Sequence, residues 1–440
     1  MRIWKSFRIS HIIALTFVYL LILLAPQKVQ ARWSLVPRFY VEEQYDDNLF
    51  LTESDEQDDF ATVVSPGLNL TYETPTTLVD LDYEFRHFFY YEFTELDFND
   101  HRGRLEARKD FTPWFSAGVS ERLIRSEDPI ELTGAQEFER PSIRAGERNR
   151  YTRNIVEPEA IFRFGERNSI RLGYRNQILR NNADDVADQD ENAGNALLTY
   201  RVNTNNGLEF YYEHLDQDYG STTQPRPPRD FKAHIPRGRY TYYFDPITSV
   251  FFEFRFIKKE VDNESPVFPS YEVYDPGLGF SHSPHENISI TASGGYALRK
   301  ADDIDDEEAF SGRLDFTGRY KRLNATAYGA AGFGDDFTSA DALGSNKFWR
   351  VGLNSRYQFL ERFQFDVFLF LEEDKFLDID RTDKYYNARG RLNYQPLRWL
   401  LFSLDYTYNE RDSDAPFRSY TRNRVFFRIT FQHDIAEQFQ

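Results

Sequence analysis

Residues 78–92 read Leu78-Val79-Asp80-Leu81-Asp82-Tyr83-Glu84-Phe85-Arg86-His87-Phe88-Phe89-Tyr90-Tyr91-Glu92. Taken two at a time, they separate into two faces. Val79, Leu81, Tyr83, Phe85, His87, Phe89 and Tyr91 make an apolar, aromatic-ended face interrupted by one histidine. Asp80, Asp82, Glu84 and Arg86 put charge at the centre of the other, flanked by Leu78, Phe88, Tyr90 and Glu92. A period of two marks a β-strand whose faces meet different surroundings. At about 15 residues the run far exceeds the ~5–6 of an ordinary strand in a water-soluble sheet. A greasy face backed by a charged one fits a strand between lipid and a wet lumen. On that reading His87 is a neutral residue near the membrane interface, not a catalyst.

The same alternation recurs to the end of the chain. Val250, Phe252, Phe254 and Phe256 form one outward row; Phe363, Phe365, Val367, Leu369 and Leu371 form another. Leu400, Phe402, Leu404, Tyr406 and Tyr408 follow, and Val425, Phe427, Ile429 and Phe431 close the series. Trp114, Trp349, Tyr357, Tyr394 and Trp399 are candidates for an interfacial girdle. The first strand is expected over 35–45 and the second over 60–72. Tight turns, rich in residues that fix φ or tolerate positive φ, are expected at 74–76, 110–113, 164–168, 203–207 and 245–246. More follow at 283–285, 321–323, 360–362 and 395–397. Between them lie longer polar connections at 125–147, 181–191, 216–230, 259–270, 300–308, 334–346, 374–383 and 410–416. Short turns at one end and long loops at the other are the plan of an outer-membrane barrel. The fold expected is all-β: a transmembrane antiparallel up-and-down β-barrel of about 20 strands, within 18–22.

The first residues and the composition agree with export. Arg2, Lys5 and Arg8 precede an apolar run over 12–25, and Val29-Gln30-Ala31 offers a small-residue cleavage site. That order is a signal peptide's, so residues 1–31 are expected to be removed and 32–440 to form a single barrel domain. There is no cysteine, hence neither a lipid anchor at a cleaved cysteine nor a disulfide. The chain carries a net charge of -18, more negative still once Arg2, Lys5, Arg8 and Lys28 are set aside. Such acidity excludes a sequence-independent grip on nucleic acid. Aromatic residues make up 17% of the chain although its mean hydropathy is -0.64, as expected if half of each strand faces lipid and half faces water.

By parity the lumen receives Asp80, Asp82, Glu84 and Arg86; Glu253 and Arg255; and Arg313, Asp315 and Arg319. A basic series comes from Arg171, Arg175, Arg389, Arg391, Arg422, Arg424 and Arg428. The last strand should close the barrel beside Arg38, Tyr40, Glu42 and Gln44. Facing rows of acid and base would set a transverse field that selects solutes; the plainer role for any one pair is to fill space across strands. Other chemistry is sparse. No Gly-x-Ser-x-Gly elbow occurs, and the sequence offers no catalytic residues, no cofactor site and no metal site. Asp302, Asp303, Asp305, Asp306, Glu307 and Glu308 lack an EF-hand's glycine-bearing spacing and read as a solvated loop. A channel is therefore the leading expectation, ahead of a non-conducting structural or adhesive barrel and of an outer-membrane enzyme. The partners expected are outer-membrane lipid, lipopolysaccharide and the barrel-assembly machinery, in the outer membrane of a Gram-negative bacterium.

A narrower resemblance is carried by Tyr45-Asp46-Asp47-Asn48-Leu49-Phe50-Leu51-Thr52. A first strand ending in this string resembles the β-barrel porin family of bacterial exopolysaccharide gene clusters. The resemblance implies an envelope barrel concerned with secretion or passage of polysaccharide, with polysaccharide or an export apparatus as further partners. It brings no catalytic residue. The chain departs from the usual outer-membrane pattern after Phe431, where 432–440 trail on and leave Phe439 next to last.

Overall fold

The computed structural model describes residues 31–128, 130–131, 142–143, 149–184, 186–223, 229–262, 264, 268–301, 304–336, 344–377 and 379–435. Twenty antiparallel strands form one sheet, each bonded to its neighbours in sequence and the last bonded back to the first. They are β1 Arg32–Asp46, β2 Asp59–Thr74, β3 Thr77–Tyr90, β4 Phe98–Thr112, β5 Phe115–Ser126, β6 Tyr151–Arg163 and β7 Ser169–Asn181. Next come β8 Gln189–Arg201, β9 Asn206–Tyr219, β10 Phe231–Tyr243, β11 Thr248–Val261, β12 Tyr271–His285, β13 Ile288–Ala301 and β14 Ile304–Tyr320. The series ends with β15 Leu323–Asp336, β16 Gly344–Leu360, β17 Phe363–Phe376, β18 Arg381–Leu397, β19 Leu400–Ser413 and β20 Tyr420–Gln432. A short pair, Ile130–Glu131 with Ser142–Ile143, stands apart from the wall. No helix among the described residues is long and apolar enough to cross a membrane; the strands are what can cross, because closure leaves no unbonded sheet edge.

Closure is continuous. β1 pairs with β20 from Arg38 opposite Gln432 to Asp46 opposite Arg424. Twenty strands spaced ~4.8 Å apart and tilted ~40° give a backbone cylinder roughly 40 Å across. A strand of 14 residues such as β11 stands about 35 Å tall at that tilt, taller than the ~25 Å apolar band of an outer-membrane barrel. The outward face shows where the surplus goes. On β11, Val250, Phe252 and Phe254 are exposed and apolar near the tight turns, whereas Lys258 and Glu260 beyond them form an ion pair of 2.6 Å towards the long loops. Outward rows elsewhere keep the alternation, with Leu81, Tyr83, Phe365, Leu369, Leu404, Tyr406, Val425 and Phe427 all exposed.

Most tight turns fall where the sequence places them, but those expected at 283–285 and 395–397 come later, at 286–287 and 398–399, because the strands before them continue to His285 and Leu397. Two turns need left-handed backbone: Gly165 at φ 84° and Lys321 at φ 49°. Gly279 is required by a close approach, since a Cβ there would meet the Phe251 ring at 2.3 Å and the Ala292 carbonyl at 2.7 Å. The strands run further than the sequence suggests: β1 and β2 gain residues mainly at their tight-turn ends, while β11, β17 and β19 run on towards the loops and absorb Lys259, Asp374 and Glu410. The acidic stretch is a correction. β14 begins at Ile304, and Glu307 pairs with Lys347 at 2.5 Å while Glu308 accepts from the Tyr296 hydroxyl at 3.1 Å. Like charges in succession hide a period of two when each face finds its own partner. Of the girdle candidates, Trp114 and Trp399 sit in tight turns and Trp349 is exposed on β16 towards the loops. The expected signal peptide, 1–31, falls outside the described residues except for Ala31, as do Asp302, Asp303 and Phe439.

Candidate functional site: the lumen

In a closed cylinder, side chains of strands two or more apart converge only on the concave side. Arg38 of β1 reaches over β2 to Asp82 of β3 at 2.8 Å, and the Tyr40 hydroxyl donates to Glu84 at 3.2 Å. Lys259 of β11 reaches Asp335 of β15 at 3.1 Å. The charged face is therefore the inner one, and the inward residues divide into two halves by exposure.

Towards the loops many inward side chains are packed together and buried. Tyr40, Leu49, Val63, Phe88, Tyr90 and Phe98 pack together inside β1 to β4, joined by Phe50, Phe93 and Leu96 from the connections. Tyr271, Val273, Ala297 and Phe333 make a second apolar cluster inside β12 to β15. The ions here are buried. Arg86, against Asp100 at 2.5 Å, has its carboxylate partner wholly covered. Asp383 is fully buried and takes Arg381 at 2.9 Å and Arg411 at 2.8 Å. The string Tyr45–Thr52 belongs to this region and works as a clasp on the seam. Asp46 forms a buried ion pair with Arg422, and Asp47 accepts both from the Asn423 backbone N–H at 2.6 Å and from its side-chain amide at 2.7 Å. Asn48, with no exposed surface, donates to the carbonyls of Thr52 and Thr421 and accepts from the Thr52 N–H. Leu49 then plugs into the aromatic cluster. Asp128, just after β5, pairs with Arg424 of β20 at 3.3 Å and lies 3.6 Å from Arg422, so the chain after β5 begins by crossing the mouth.

Towards the tight turns the lumen is open and its ion pairs are wet. Arg104 pairs with Glu106 at 2.9 Å, their side chains 63% and 46% exposed; Arg313 pairs with Asp315 at 2.6 Å, 63% and 40% exposed. Surface pairs of this kind are each worth at most about 1 kcal/mol.

The residues expected to line the lumen are distributed over both halves. Asp80 accepts from the Thr71 hydroxyl at 2.8 Å, and Asp82 and Glu84 face Arg38. Arg171 is loosely paired with Glu159 at 3.9 Å and Arg175 tightly with Glu191 at 2.6 Å. Arg389 and Arg391 share Asp405, at 3.1 and 2.5 Å. Arg428 pairs with Glu42 at 2.6 Å and lies over the Tyr40 ring at 4.3 Å. Glu253 takes Arg239 at 2.6 Å, and Arg255 takes Asp275 at 2.8 Å; for Arg319 no side-chain partner is described. The basic series is thus not an uninterrupted positive wall: each arginine in it has a carboxylate at hand, and Arg422 and Arg424 are buried behind Asp46 and Asp128. Sequence reasoning missed Asp46, Asp100, Asp383, Arg381, Arg411 and Asp405 as members of these pairs. The parity of Arg38, Tyr40, Glu42 and Gln44 extends without a break to Asp46 and could have found the first of them. Among the described residues no group of three or more histidines, aspartates or glutamates is arranged to hold a metal ion.

Known proteins with this architecture are outer-membrane barrels. The FrpB iron transporter from Neisseria meningitidis (F5-1 variant) superposes with a TM-score of 0.54 at 9% identity, over 92% of this chain and 83% of that one. The copper transporter OprC superposes with a TM-score of 0.50 at 11% identity, over 93% of this chain and 81% of that one. At such identity the likeness is one of fold. No curated protein matches in sequence. Residues 217–433, which run from late β9 just past β20, match the family described as "Putative beta-barrel porin 2". The chain is therefore a closed β-barrel of outer-membrane type, and over 217–433 it matches the model of that porin family.

Proposed function

We propose that the protein is a channel of the outer membrane, with a water-filled vestibule at its tight-turn end and a narrowed mouth at its loop end. The observation that carries this reading is the division of the lumen: ion pairs such as Arg104–Glu106 and Arg313–Asp315 stand in water at one end, while Asp128, Arg422 and Arg424 are drawn together across the other. Tight turns of such barrels face the periplasm, so the vestibule opens inward and the mouth meets the outside. Twenty strands enclose more space than wall side chains can fill, since barrels of ~16–18 strands already leave an aqueous channel. The chemistry asked of the wall is passage and selection of a solute, with no covalent step. The finer reading is that this solute is polysaccharide; it rests on the resemblance carried by Tyr45–Thr52. Liposome swelling tests the channel: vesicles holding the purified barrel should swell in small sugars and progressively less in larger ones. Swelling no faster than that of empty vesicles would leave a structural barrel.

A further inference from the structure

The wet half of the lumen is not uniform. On the inner wall from β3 to β8 two hollows of about 400 and 510 Å³ adjoin. They share Glu106, Ser120 and Glu157, so together they make one elongated trough running obliquely across the strands. Its floor is low because β5 places Gly118 and Ser120 inward between the side chains of β4 and β6, and β7 places Gly173 inward between those of β6 and β8. The Asn195 amide lies over Gly173, 2.7 Å from where a Cβ would stand. An alanine at Gly173 would displace that amide.

The rims are ion pairs of the exchangeable kind. Arg122 and Glu157 stand 3.5 Å apart, Arg171 and Glu159 3.9 Å apart, and all four side chains are between 31% and 54% exposed. With Arg104 and Glu106 they mix arginines and carboxylates along the trough, Arg104 standing opposite Arg122 and Glu106 in line with Ser120 and Glu157. Exposed pairs hold each other weakly, so a ligand can replace one partner at little cost, unlike the buried pairs at the mouth. Three arginines line each hollow, Arg108, Arg171 and Arg175 in one and Arg102, Arg104 and Arg122 in the other. Basic groups thus recur along the trough, and a chain that repeats its charged groups can engage both clusters where one small inorganic anion can engage only one. Arginine's planar fork takes a carboxylate in a bidentate manner, and the intervening glutamates and Asn195 can bond hydroxyls, as Glu157 already does by accepting from Ser120 at 3.3 Å.

We propose that this trough is a binding track for an extended acidic glycan, one whose sugar units carry carboxylates as well as hydroxyls. The proposal rests on the channel reading and names the class of solute for it. The trough lies below the mouth, so a chain entering from the turn end would lie along β3 to β8 before meeting the Asp128 contacts.

The test is isothermal titration of the detergent-solubilised barrel with pentagalacturonate, galacturonate monomer, maltopentaose and sodium sulfate, paired with ion-current measurements on the same preparation. Pentagalacturonate should bind at least tenfold more tightly than the other three. The double variant Arg104→Gln/Arg171→Gln should lose at least fivefold of that affinity while still running as a folded, heat-modifiable barrel. Equal binding of maltopentaose, equal binding of sulfate, or an unchanged affinity in the variant would each overturn the track. Binding without any current would sink the channel and keep the track; current without binding would do the reverse.

Discussion

Asp46→Asn is the most informative single change in the wall. Asp46 and Arg422 are 2% and 1% exposed, and their ion pair spans the seam where the first and last strands meet. Removing the carboxylate's charge leaves the Arg422 guanidinium buried, with Asp128 at 3.6 Å as its nearest remaining acid. It also weakens the acceptor for the Asn48 N–H, 3.2 Å away. Breaking a buried pair from one side costs about 3–5 kcal/mol, because the other charge stays desolvated without full compensation. Barrel unfolding is best followed as a rate. If the seam opens in the rate-limiting step, each ~1.4 kcal/mol is tenfold, so unfolding should accelerate between about a hundredfold and a few thousandfold. The assay is the conversion of the fast-migrating folded band to the slow unfolded band on detergent gels at fixed temperature. The double variant Asp46→Asn/Arg422→Gln should recover much of the loss, since it removes the stranded charge as well. Glu106→Gln, at an exposed pair, should change the rate by no more than about 1 kcal/mol's worth, roughly fivefold. If Asp46→Asn and Glu106→Gln behave alike, the division of the lumen into structural and exchangeable ion pairs is wrong.

Other outcomes follow from the same geometry. Phe254→Arg, exposed on the outer wall, should hinder insertion by about 2–4 kcal/mol near the bilayer midplane, whereas Glu253→Gln on the inner face should insert normally; assembly yield in outer-membrane fractions decides it. Gly279→Val should lower the folded yield because its side chain would collide with the Phe251 ring, and Gly279→Val/Phe251→Ala should restore part of it. In the current assay, Arg389→Gln/Arg391→Gln should shift the reversal potential towards cations, because these two half-exposed arginines share one carboxylate. Arg422→Gln should chiefly cost stability, since that side chain is sealed behind Asp46; a selectivity shift as large as that of the Arg389/Arg391 pair would contradict its burial.

The fold was legible because a barrel wall is written in a local code. Side chains alternate with period two whatever their neighbours, so Leu81 and Tyr83 on one side and Asp82 and Glu84 on the other announce both faces without knowledge of the partner strands. Turn chemistry marks the tight ends equally locally, as at Gly165. Strand ends near the loops were less legible, because charge covers both faces there: Glu307 and Glu308 belong to one strand yet read as a solvated run. The lumen was the hardest part to read. Which arginine meets which carboxylate depends on register and on reach over intervening strands, as with Arg38 and Asp82 or Lys259 and Asp335, and no local pattern encodes that. The basic series looked like a positive wall in sequence because its compensating acids, Asp405 and Asp128 among them, lie on other strands or in a connection. The Tyr45–Thr52 string stood out as a motif, but its work of joining the first strand to Arg422 and Asn423 shows only once the barrel is closed.

The most direct measurement is the ion current through single purified barrels in a planar bilayer. Discrete, repeated conductance steps are expected, with larger or longer openings when Asp128→Ala removes the contacts to Arg422 and Arg424. Folded, heat-modifiable barrels that insert yet never conduct, with Asp128 intact or replaced, would contradict the channel.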